Sequence, residues 1–363
     1  MTKPTAKPQR PASTADYHRH TLRKYAVLLA AFLLLCLCFL GSLKAGSAEM
    51  GMGDVLRALL HPSGERDSLI VWNIRLPRAC IAVTVGMCLA MCGAIMQNVL
   101  RNPLASSSTL GVSQGAAFGA AVAIVYFGAG AQVNNVSGDA AVSISNPALV
   151  TAFAFLGGMG TTLVIMFISR ALNAGPAVLV LAGVALSAMF SAGTSLVQYF
   201  ADDIKVASVV YWTFGSLGRA SWTQIFFTAG IAAAAFAYFM YNRWNYNAFE
   251  AGTDAAKSLG VPVPVLVPIS LLVCALISAV SVAFVGVISF IGLVASHIIR
   301  RLVGNDMRFL LPGTALCGAT LLLLADIAAR TIISPVVLPI GAVTSIVGAP
   351  IFLFLLLKRR VRA

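Results

Sequence analysis

Ten long runs of apolar residues, parted by short polar breaks, fill the chain after residue 24. The first spans Tyr25 to Leu43. The others lie near 76–98, 108–128, 148–169, 177–199, 221–241, 264–282, 286–303, 309–328 and 337–357. Each approaches the roughly 20 residues that a helix needs to cross the hydrocarbon layer of a bilayer. The pattern predicts an all-α integral membrane protein with about ten transmembrane helices. The stretch 264–303 is nearly continuous, and its division into two spans rests on Val285-Gly286 and on length. Gly, Ala and Ser are frequent within the runs, as close helix packing in lipid requires.

The polar segments sharpen this picture. Residues 1–24 are polar and basic and read as a cytoplasmic, disordered tail, leaving 25–363 as a single transmembrane domain. The run from Tyr25 reads as a retained first span; the competing reading is a signal-peptide core ending near Ala48. Ten spans from an inside N-terminus return the C-terminus to the inside. Seventeen of the 25 Lys and Arg then fall on the inner side, the closing KRRVRA among them. The opposite orientation would violate the positive-inside rule.

Composition excludes most alternatives. Of 363 residues, 59% are hydrophobic and only 10% charged, against roughly 25% charged in soluble domains. The net charge of +13 goes with membrane here, not with nucleic acid. The seven cysteines lie in or beside apolar runs without a C-x-x-C and read as small buried hydrophobes. His18, His20, His61 and His297 have no metal-ligand spacing, and no phosphate-binding G-x-x-x-x-G-K-[ST] loop occurs. The chain is therefore expected to hold no metal or other cofactor and to be no enzyme. ATP and Mg, if used, belong to a separate ATPase. Asp326 and the pair Asp202/Asp203 fall at helix ends, which argues against an ion-coupled secondary transporter, the alternative function.

Two polar motifs carry chemistry. Arg75-Leu76-Pro77-Arg78 opens the second span on the outer side, where its guanidinium groups could dock carboxylates of an extracytoplasmic partner or anchor to lipid phosphate. Arg330 could join them from the outer end of the ninth span. On the inner side, Asn245–Pro264 contains a turn, an N-cap at Thr253 or Asp254, a short helix, and Gly260 with Pro262 to end it. It reads either as a linker or as a knob for a motor protein. A fainter feature is an internal echo: Gly93 to Arg101 and Gly292 to Arg300 share their spacing and each close an outside-to-inside helix, a similarity that a repeat or chance explains equally well.

At these residues the chain resembles the iron-siderophore, heme and vitamin B12 permease family of ABC importers. The resemblance is carried by RLPR at 75–78, GAIMQNVLRNPLASSSTLGVSQGAAFGA at 93–120, YWTFGSLGRASW at 211–222, AGTDAAKSLGV at 251–261, AFVGVISFIGLVASHIIRRLVGNDMR at 283–308, AD at 325–326 and LPIGAVTSIVGAPIFLFLL at 338–356. It runs from about residue 26 to the C-terminus. It implies a type II importer permease of ten helices per subunit that works as a dimer in a bacterial or archaeal cytoplasmic membrane. Two ABC ATPase subunits would sit beneath and a substrate-binding protein outside. It implies ATPase coupling through Glu250, Gly252, Asp254, Ala256, Lys257, Leu259 and Gly260, and binding-protein docking through Arg75, Arg78 and Arg330. It implies a pathway lined by the fifth and tenth spans, through Ser187, Ser191, Thr194, Ser195, Gln198, Thr344 and Ser345. The implied cargo is a ferric siderophore or a related metal chelate. The chain departs from the family at Ser296, where proline is common, and at Val337, where an acid is common.

Overall fold

The computed structural model describes residues 14–46, 50–62, 65–129, 131–134, 141–171, 175–334 and 336–360. Its helices follow the apolar runs closely. They are α1 (Thr14–Lys44), α4 (Leu76–Val99), α5 (Val112–Tyr126), α6 (Pro147–Ala171), α7 (Pro176–Tyr199), α9 (Trp222–Tyr241), α12 (Val263–Val285), α13 (Ile291–Val303), α14 (Met307–Thr331) and α15 (Ile340–Arg360). Among the described residues seven helices are long and apolar enough to cross a membrane; α5 and α15 are shorter apolar helices, and α13 has 13 residues. Helix α1 reaches back to Thr14, so residues 14–24, read as disordered tail, are helical; residues 1–13 lie outside the described residues.

The division at 285–286 holds. Helix α12 stops at Val285, and Gly286 turns the chain with φ 82°. A Cβ there would fall 2.6 Å from the Trp212 carbonyl oxygen, so the turn demands glycine on both conformational and steric grounds.

Smaller elements fill the connections. At the end that the charge pattern reads as outer, α2 (Met52–Leu60) and α3 (Arg66–Ile70) lead through a π-helical turn, Val71–Arg75, into α4. A hairpin pairs β1 (Ala131–Asn134) antiparallel with β2 (Ala141–Ile144), placing Ala131 opposite Ile144. Helix α8 (Asp203–Thr213) follows α7. At the opposite end, read from charge as inner, lie α10 (Arg243–Glu250) and α11 (Thr253–Ser258).

Helix α4 is the hub, packed by α9, α12, α13 and α14. Of the most apolar window of α3–α4, 78% is buried inside the chain, against 17% for α7. Small residues make the hub possible. A Cβ on Gly93 would land on the Gly292 backbone, so α4 and α13 meet backbone to backbone, as small residues allow in lipid. The two glycines of the sequence echo thus face each other across one helix contact. Helix α5 lies between α6 and α7. The exposed face of α7 carries Leu181, Val184, Met189, Leu196 and Tyr199, an apolar surface that needs lipid or another subunit.

Candidate functional site

The outer motif forms a buried ionic cluster. Asp326 on α14 is wholly buried. Arg78 donates from Nε to its Oδ1 at 2.8 Å, and Arg330, one helical turn on, brings Nη2 to 2.9 Å from Oδ2. The remaining Arg330 donors close the end of α1: Nη1 donates to the Ala45 carbonyl at 2.8 Å, and Nη2 to the Ser42 hydroxyl at 2.8 Å. Arg75 does likewise, donating to the carbonyls of Leu43 at 2.8 Å and Lys44 at 3.0 Å. The last carbonyls of a helix have no acceptor role within it to fill, and here two guanidinium groups satisfy them.

Two of these arginines face the chain's own helices. Arg75 and Arg330 are 3% and 8% exposed, turned inward onto α1 rather than outward toward a partner. Arg78, with a side chain 12% exposed, is also committed to Asp326. The signal that distinguishes the two roles was present in the sequence only as Asp326 itself, one turn before Arg330.

The inner loop shows the opposite arrangement: a fixed base and a free tip. Helix α10 is fastened on several sides. The Tyr246 hydroxyl lies 2.7 Å from the Ser270 hydroxyl on α12, and the Tyr246 carbonyl accepts from Asn98 Nδ2 of α4 at 3.2 Å. Asn247 bridges to the start of α14, donating to Asp306 Oδ1 at 3.1 Å and accepting from the Met307 amide at 2.8 Å. Asn305 donates to the Glu250 carboxylate. Tyr246, Asn247 and Asp306 escaped the sequence reading because their partners are far away in the chain.

Helix α11 projects from that base. Ala256 is buried, whereas Asp254, Lys257 and Leu259 are exposed, with Leu259 at 70%. Asp254 and Lys257 form a loose pair at 3.8 Å, worth little in water. The expected cap at Thr253 or Asp254 is not what starts the helix: Gly252 occupies that position without a side-chain bond. Its end is as read. Gly260, at φ 82°, donates to the Lys257 carbonyl at 2.9 Å, and Val261 to that of Ala256 at 3.0 Å. That is a Schellman ending, in which glycine adopts the left-handed conformation without a Cβ penalty.

The pathway residues divide. Ser191 and Ser195 are exposed on α7, and Ser187, Gln198 and Ser345 are half-buried. Thr194 and Thr344 are 9% and 3% exposed and are turned into the chain. The hydroxyls of Ser187, Thr194, Ser195, Thr344 and Ser345 all donate to carbonyls of their own helix. With those donors occupied, the lining offers only weak polarity. Ser296 likewise donates to the Gly292 carbonyl at 2.7 Å, so α13 is continuous where the family often has proline. Val337 is 52% exposed, in the turn before α15.

The whole is a helical membrane bundle with an anchored loop and an exposed apolar face on α7. Residues 33–358 match the FecCD transport family, and the chain belongs to it. It is 48% identical over 345 residues to an ABC transporter permease of Methanocaldococcus jannaschii, covering 94% of this chain and 97% of that one. A hemin transport system permease of Yersinia pestis is 36% identical over 340 residues, covering 92% and 96%. A solved ABC transporter described as of the metal-chelate type, in an inward-facing conformation, superposes with a TM-score of 0.79 at 30% identity, covering 92% of this chain and 99% of that one. The protein is thus a multi-pass transport subunit.

Proposed function

We propose that this permease imports a metal chelate, of the ferric siderophore, heme or cobalamin kind, with energy delivered from ATP through α10 and α11. Two copies enclose the pathway along α7 and α15, two ATPase subunits hold ATP and Mg on the inner face, and a substrate-binding protein delivers cargo outside. The single observation that carries this reading is the inner loop. Its tip is free to be gripped, while its base is bonded to α4, α12 and the start of α14, so a push on α11 reaches three spans at once. Weak polarity along α7 and α15 suits cargo that must pass without being held.

Asp326 bears on the rival reading of ion coupling. Asp326 is wholly buried and paired with Arg78 and Arg330, so it is engaged in a cluster that joins helices rather than open to a water pathway.

The test is reconstitution. Proteoliposomes with the ATPase and binding protein should take up a radiolabelled ferric siderophore, heme or cobalamin only when ATP is present. Uptake that persists without the ATPase, or that collapses with the proton gradient while ATP remains, overturns the proposal.

A further inference from the structure

A polar cavity of about 480 Å³ opens at the inner end of the bundle, between the ends of α4 and α13, the base of α10 and α15. Gln97 lines it. This side chain is 5% exposed, and both its amide nitrogen and its amide oxygen are buried without a hydrogen-bond partner among the described residues. Asn98 Oδ1 is buried and unpartnered as well. An amide left in this state is costly, and an apolar residue of similar shape would avoid the cost. Gln97 stands among Ala94, Ile95, Met96 and Val99, so its polarity serves something other than packing.

Among the described residues the cavity lining is basic: Arg101, Arg300 and Arg301 stand with one carboxylate, Glu250. Glu250 is engaged by Asn305, Arg300 donates to Asn305 at 3.1 Å, and Arg301 donates to the Leu355 carbonyl. Arg101 follows α4 in a left-handed backbone conformation, φ 47°, which is unfavourable for a side chain of its size. Such strain persists where the surroundings impose it, often at a ligand site.

From this arrangement we infer that the cavity binds a phosphoryl anion, held by Arg101 and its neighbouring guanidinium groups, with the Gln97 amide donating to it. Planar guanidinium forks match phosphoryl oxygens. The volume is many times the roughly 30 Å³ that one water occupies in the liquid, which leaves room for a substituent on the phosphorus. Two sources share this chemistry: the headgroup of an inner-leaflet phospholipid, and free phosphate or a phosphomonoester. Phe249 and Glu250 form the α10 wall of the cavity. A bound anion therefore ties the base of the coupling loop to α4 and α13. That mechanical consequence rests on the proposed function, whereas the binding itself does not.

The experiment uses the full chain, purified in detergent and stripped of lipid, so it needs neither ATPase nor cargo. One arm titrates inorganic phosphate and reads 31P line broadening. The other reconstitutes the protein in phosphatidylcholine discs containing phosphatidylglycerol and counts retained phosphatidylglycerol by native mass spectrometry. The expected result is one phosphoryl group per chain in at least one arm, weakened at least tenfold by Arg101→Ala, several-fold by Gln97→Leu, and less by Arg101→Lys than by Arg101→Ala. Binding in the lipid arm alone assigns the site to a headgroup; binding in both admits free phosphate. Arg101 is exposed and leaves no packing defect when shortened, so its variants carry the test even if Gln97→Leu does not fold. No binding in either arm, or binding unchanged in Arg101→Ala, overturns the inference and leaves the cavity to water or to a carboxylate of another protein.

Discussion

The outer and inner ends of this permease use polar residues in opposite ways. At the outer end, Arg75, Arg78 and Arg330 are drawn inside, where they satisfy Asp326 and the terminal carbonyls of α1. At the inner end, Tyr246 and Asn247 are drawn inside to fix α10, and Asp254, Lys257 and Leu259 are left outside on α11. The difference shows that charge in a motif does not say which way it points. A guanidinium beside a helix end with open carbonyls finds acceptors within its own chain. A short helix that ends in a Schellman turn has satisfied its own backbone and leaves its side chains free for another protein.

The outer cluster also binds α1 to the body of the protein. Were α1 removed, Arg75 and Arg330 would lose the acceptors at Ser42, Leu43, Lys44 and Ala45, while Arg330 kept Asp326; losing hydrogen-bond acceptors to charged donors is costly. This favours the retained span over the signal-peptide reading of the first apolar run.

The sharpest way to break the comparison is Asp326→Ala. It leaves Arg78 and Arg330 without their shared carboxylate, and removal of one member of a buried pair typically costs about 3–5 kcal/mol. Thermal unfolding in detergent should show a large drop in midpoint; an unchanged midpoint would mean that the cluster is solvated and available for docking after all. Next comes Asn247→Ala, which strands the Met307 amide and one side of Asp306. The expected loss is about 1–3 kcal/mol, with ATP-driven uptake falling further than stability alone accounts for. Tyr246→Phe removes one buried hydroxyl contact to Ser270 and should cost about 1 kcal/mol, read as a small shift in the same melt. Smallest in stability is Leu259→Asp at the exposed tip. Its midpoint should not move, yet uptake and co-purification of the ATPase should be lost. Normal uptake in that variant would return α11 to the role of a linker.

Much of this was legible in the sequence because the bilayer imposes a simple rule. A segment in lipid must satisfy its own backbone, so apolar runs of sufficient length become helices, and the ten runs did. Gly286 and Gly260 were readable as stops because each ends a helix in a conformation that glycine tolerates best. The burial of Thr194 and Thr344 was not legible, because span membership does not reveal which face of a helix meets a neighbour when nearly every residue is apolar. The bonds of the arginines within the chain were not legible, because Arg75 and Arg330 meet carbonyls near the end of α1 and Arg78 meets Asp326, 248 residues away.

By itself, then, the sequence determined the membrane environment, the number and limits of the spans, the orientation favoured by charge, and the position of the inner loop. These follow from local hydrophobicity, helix-ending chemistry and the distribution of Lys and Arg. Only the tertiary structure decided which polar groups are consumed within the chain and which remain for others: the arginine cluster that holds α1, the bonds that fix α10, and the unpartnered amide of Gln97. The physical reason is that a hydrogen bond or an ion pair is a relation between two groups. Its partner can lie anywhere along the chain, and only the packing of the helices brings the two together.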